Sequence, residues 1–86
     1  MNIVFIKHTG CHQIYLFEVP ANITLKDGEE VMVKTINGET GGVCVCDSFE
    51  LDGSPLMAVA KVSGAKFPLK PVVGKLCVER FEVVQE

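Results

Sequence analysis

Eighty-six residues, 48% of them hydrophobic and 22% charged, predict one globular domain over residues 1–86 and exclude an intrinsically disordered chain. The formal charge of −3, from 8 basic against 11 acidic residues, argues against a sequence-independent grip on phosphate backbones, which needs clustered Lys and Arg. A chain this short hides only about two-thirds of the surface its unfolded form exposes, so a single core has to carry its stability.

The chain begins with an apolar run, Ile3-Val4-Phe5-Ile6, that stops at Lys7-His8. It is too short for a signal peptide or a membrane span, so a cytoplasmic protein with reduced thiols is expected. Residues 2–7 are predicted as a first strand, and residues 8–12 as a turn. A second strand over 13–19 alternates Ile14, Leu16 and Glu18 with Tyr15, Phe17 and Val19; both faces are largely apolar, which predicts a central position. Pro20-Ala21-Asn22 breaks it, and Ile23 and Leu25 lead into the next element.

Residues 25–45 carry the firmest local signal. Asp27-Gly28 supplies a turn, and Val31-Met32-Val33-Lys34-Thr35 follows with β-branched residues on one face. Asn37-Gly38 is the dipeptide preferred by a type I′ hairpin turn, and the return strand is expected to carry Val43 and Val45 inward. Gly41-Gly42 inside that strand predicts a bulge or a barrel corner. Beyond Cys46, Asp47-Ser48 and Asp52-Gly53-Ser54-Pro55 frame a loop in which Phe49 and Leu51 reach the core.

Residues 56–62 are predicted as a strand, with a short helix as the alternative because Met and Ala are present. Two prolines and two glycines make 63–74 an irregular crossing. The run 75–84 changes apolar phase near Glu79-Arg80, which fits a strand with a bulge better than the alternative helix.

Three constellations bear on chemistry. Cys11, His12, Cys44 and Cys46, with His8 nearby, are ligand types zinc accepts, yet no C-x2-C knuckle is present. Burial of Cys44, Cys46 and Cys77 as small apolar fillers is the favoured account, and no cofactor is expected. Cys11 activated by His12 or His8 would need an imidazole within hydrogen-bond reach and a third group orienting it; adjacent residues seldom face each other. No G-x-S-x-G, P-loop, H-E-x-x-H or dinucleotide fingerprint occurs, so an enzyme is not expected. Pro68-Leu69-Lys70-Pro71 has P-x-x-P spacing and is taken as a rigid loop anchored by Phe67 and Leu69. Around it, Lys61, Lys66, Lys70 and Lys75 form a modest basic edge, the one place where nucleic acid or another anion would dock.

The segments Y-L-F-E-V-P, L-K-D-G-E-E-V-M-V-K-T and N-G-E-T-G-G-V-C-V, within residues 14–45, resemble the small β-barrel opening of the PSP1 domain and the N-terminal DNA-binding domain of the primosomal helicase. The resemblance implies a bacterial or phage-type barrel used for binding, and it carries over no functional residue. The combined expectation is an all-β fold, a small, partly open barrel or roll of five or six mostly antiparallel strands. Such a barrel fills its interior with side chains, so a ligand meets its surface or an edge. The leading expectation is a non-catalytic module that binds a protein partner or self-associates through an exposed edge, either residues 2–7 or the C-terminal strand. An accessory nucleic-acid-binding barrel is the first alternative, and a zinc or thiol site at the cysteines the second.

Overall fold

The computed structural model describes residues 1–8, 10, 12–35 and 38–75. Within them, six antiparallel strands form one sheet that curls into a half-barrel, and one short helix packs on its outside. The strands are β1 (Asn2–His8), β2 (Ile14–Glu18), β3 (Glu30–Thr35), β4 (Gly38–Cys44), β5 (Phe49–Glu50) and β6 (Val72–Lys75), with helix α1 (Gly53–Ser63) between the last two. Sheet order is β2-β1-β4-β3-β6, and β5 pairs with β1. A lone parallel bridge from Glu18 to Pro71 brings the far side of the sheet back to β2 and marks the seam. No helix among the described residues is long and apolar enough to cross a membrane.

Alternation explains the core. Val4 and Ile6 of β1, Phe17 of β2, Val31 and Val33 of β3, Cys44 of β4 and Val72 of β6 point into the barrel, joined by Val19 and Leu25. The opposite faces of β1 and β2 contribute Ile3 and Leu16 to a second cluster with Leu56, Ala60 and Leu69. Strand β2 is therefore apolar on both faces because it lies between the barrel interior and the helix. In sheet order it is nonetheless a terminal strand and not a central one: two-sided burial came from layering, which sequence alternation does not distinguish from lateral pairing. Residues 2–7, expected as a free edge, are flanked by β2 on one side and by β4 and β5 on the other.

The hairpin is present, with its register shifted. Thr35 pairs with Gly38 and Val31 with Gly42, so residues 36 and 37, outside the described set, connect the strands, and Gly38 belongs to the return strand. Partners directly across a ladder share a face, which puts Gly42 and Cys44 on the inward side with Val31. Val43 is only half-buried and Val45 is exposed, contrary to the inward positions expected of them. The register runs unbroken past Gly41 and Gly42, and the irregularity lies instead where β3 meets β6, between Met32 and Val33. Gly42 answers a different demand: a Cβ there would stand 2.6 Å from Ile6 Cγ2 and 3.1 Å from the Lys7 carbonyl oxygen, so β1 and β4 approach too closely for any side chain.

Ser48 ties the barrel floor, its amide donating to the Leu25 carbonyl at 2.9 Å while its hydroxyl accepts from the Leu25 amide at 3.1 Å. Phe49 and Leu51 pack against the outer cluster and so reach the core as expected, although Phe49 does so from strand β5 and not from a loop.

Residues 56–62 are helical, which corrects the strand expectation. Asp52 takes the extended N-cap conformation, Pro55 sits in the first turn where a missing amide costs nothing, and Leu56, Val59 and Ala60 form an i, i+3, i+4 stripe. Gly64, at φ 76°, ends the helix in the left-handed conformation, its amide and the next closing onto the Lys61 and Ala60 carbonyls. Of the crossing predicted over 63–74, Ser63 closes the helix, residues 64–71 are irregular, and β6 then begins because buried Val72 faces Val33. The expectation for 75–84 concerns residues almost all outside the described set.

Candidate functional site

A groove of about 490 Å³ runs along the outer edge of β2. One wall is Tyr15, Leu16 and Phe17; the other is the chain from Ser63 through Gly64, Lys66, Phe67 and Pro68 to Lys70. It is positioned by two anchors. Leu69 is buried against Leu16 and Leu56 in the outer cluster, and the Glu18 amide donates to the Lys70 carbonyl at 2.9 Å. Phe67, expected to anchor the loop as Leu69 does, is 42% exposed, and it also lines an adjoining depression with Met57, Ala60 and Lys61.

The direction of the backbone on this edge follows from two hydrogen bonds. Val19 donates inward to the Asn2 carbonyl at 2.8 Å, whereas Glu18 donates outward to Lys70. Amides alternate along a strand, so Leu16 and Ile14 present N–H and C=O on the same outward side as Glu18. Among the described residues neither meets a backbone partner there.

Of the basic residues singled out, Lys61, Lys66 and Lys70 line this groove and its extension. Their ammonium groups form no ion pair among the described residues. Lys75 lies outside that lining on β6, with its ammonium 3.3 Å from Glu29. Among the described residues, no Asp or Glu lines either depression.

The cysteine and histidine set is not brought together to the same degree. Cys44 is buried in the barrel and Cys46 packs half-buried against the same cluster. Burial, reinforced by the Glu29 carboxylate, pushes the Cys44 thiol up to about 11, which keeps it neutral and a poor nucleophile. His12 is exposed, and Cys11 lies outside the described residues. No group of three or more His, Cys, Asp or Glu side chains among the described residues is arranged to hold a metal ion. The His8 ring stacks obliquely on Tyr15 at 5.1 Å and edge-on to Phe17 at 5.7 Å, and its Nδ1 is buried with no hydrogen-bond partner among the described residues.

What sequence reasoning missed is the edge itself. Only the order of strands reveals that β2 is terminal, and nothing local in residues 14–18 encodes that order. Comparison with protein-family models, curated proteins and solved structures returned no match to this chain.

Proposed function

We propose that this chain is a non-catalytic binding module that pairs an extended segment of a protein partner along the free edge of β2. The outward backbone groups of Ile14 and Leu16, unpaired among the described residues and bordered by an apolar groove, are the observation that carries this reading. An exposed row of donors and acceptors templates another strand, and a neighbouring pocket gives the added strand side-chain selectivity. The resemblance of residues 14–45 to PSP1-type barrels supports the same class of role. Edge pairing with a second copy is its homotypic form.

Selection from a display library of random peptides tests it. Wild-type protein should enrich peptides that shift the Ile14 and Leu16 amide resonances, and Ile14→Pro should not. Proline is tolerated at the first residue of an edge strand and deletes the outward N–H without touching the ladder to β1. Enrichment of nothing, or of peptides that bind both proteins equally, would refute the reading.

The second reading, an accessory nucleic-acid-binding barrel, is favoured by exposed Phe67 and Tyr15 beside Lys61, Lys66 and Lys70, a combination suited to stacking bases and neutralising phosphates. Its necessary signature is steep salt dependence of oligonucleotide binding that vanishes in the Lys66→Glu/Lys70→Glu double variant.

A further inference from the structure

We infer that the segment received by the β2 edge is acidic, with apolar residues alternating with Asp or Glu. The inference rests on the edge reading and adds the chemistry of the partner. Three observations set that chemistry. First, every charged side chain among the described residues that line the groove and its extension is a lysine: Lys61, Lys66 and Lys70. Second, none of the three is neutralised by a carboxylate among the described residues, whereas Lys75, elsewhere on the sheet, is held by Glu29. Third, the chain as a whole carries −3, so the basic rim is a local reversal of sign: an acidic guest drawn to these lysines is repelled elsewhere, which confines it to this edge.

The lining of the groove beside the rim lysines is largely apolar, with Leu16 on one wall and Phe67 and Pro68 on the other. A strand laid antiparallel or parallel along Ile14 to Leu16 turns alternate side chains to opposite faces. Apolar residues of one parity then pack on Leu16 and Phe67, and acidic residues at the rim meet Lys66 and Lys70. Exposed ion pairs are individually weak, so two or three of them together give about a tenfold preference for an acidic over a basic ligand. Nucleic acid would use the same lysines, but it leaves the backbone donors and acceptors of Ile14 and Leu16 unanswered, and three lysines supply a weak grip on a phosphate backbone.

The test uses the full chain and capped hexapeptides. One alternates Val with Glu, a second alternates Val with Lys, and a third is the Glu peptide with alternate amides N-methylated; octathymidylate is the nucleic-acid probe. Binding is followed by anisotropy and by amide chemical shifts. The Glu peptide should bind about tenfold more tightly than the Lys peptide, shift the Ile14 and Leu16 amides, weaken as salt rises, and lose binding on N-methylation. The Lys66→Glu/Lys70→Glu protein, checked for an unchanged unfolding midpoint, should reverse the preference between the two peptides. The swap of peptide charge on wild-type protein makes the same discrimination without any variant. Equal binding of both peptides at those amides would overturn the acidic partner and leave the edge reading standing. Absence of a shift at those amides with both peptides would overturn the acidic partner and the edge reading together. Tighter binding of octathymidylate at Phe67 and Lys66 would overturn the inference in favour of the nucleic-acid reading. A dimer joined at β2 that the Glu peptide does not dissociate would overturn it in favour of a second copy.

Discussion

The inside of the half-barrel and the layer outside β1 and β2 are built from the same kinds of residue and end in different states. Among the described residues, nine apolar side chains close the interior, none more than 4% exposed. Outside, α1 covers only part of the sheet: Ile3, Leu16, Leu56, Ala60 and Leu69 are buried, but Met57, Val62 and Phe67 are left in solvent at 58%, 89% and 42% exposure. The interior is finished and the exterior is not. Stability belongs to the first region, and any surface available to a partner belongs to the second.

Substitutions that separate the two regions should follow that division. Ile6→Ala removes a fully buried side chain from the interior and should cost about 2–5 kcal/mol in chemical denaturation, against less than about 0.5 kcal/mol for Met57→Ala on the exposed side of the helix. Comparable losses at both sites would end the distinction. Gly42→Ala forces a methyl group onto Ile6 and the Lys7 carbonyl, and should cost about 1–3 kcal/mol, with a lowered thermal midpoint as the readout.

The interior also sets a pH dependence of its own. The Cys44 thiol is raised in the folded state to about 11 from a usual 9.0, so the native protein holds the proton that the unfolded chain releases first. That contribution is complete below about pH 9, where both states are protonated, and is lost as pH climbs from there through the folded value. Alkaline melting curves should therefore decline over this window in wild type and decline less in Cys44→Ala. Smallest of all, Lys75→Met removes a half-exposed ion pair with Glu29 and should change stability by less than about 1 kcal/mol, an effect that salt erases.

The barrel was legible where one face is buried and the spacing is two. Val31 and Val33, the first strand, and the Asp27-Gly28 turn, with Gly28 at φ 91°, all follow from local patterning. The helix escaped because Met, Ala and Val in 56–62 satisfy a loose strand pattern, while its true markers lie at its borders: Asp52 ahead of Pro55, and Gly64 behind the Leu56-Val59-Ala60 stripe. The parity of β4 escaped because Asn37-Gly38 drew the turn one residue too late, which turned Val43 and Val45 inward, although burial of Cys44 as a small apolar filler was legible. At the candidate site, the lysines were visible as a cluster in sequence. The terminal position of β2 beside them was not, since which strand ends a sheet is decided by partners far away along the chain.

The seam at Glu18 and Pro71 has one more consequence. Where the Lys70 carbonyl already occupies the Glu18 amide, no incoming strand can continue, so the open template ends after Leu16. The crossing chain is thus a doorstop: it keeps the open stretch of border short and denies the long uninterrupted one on which copies could stack without end.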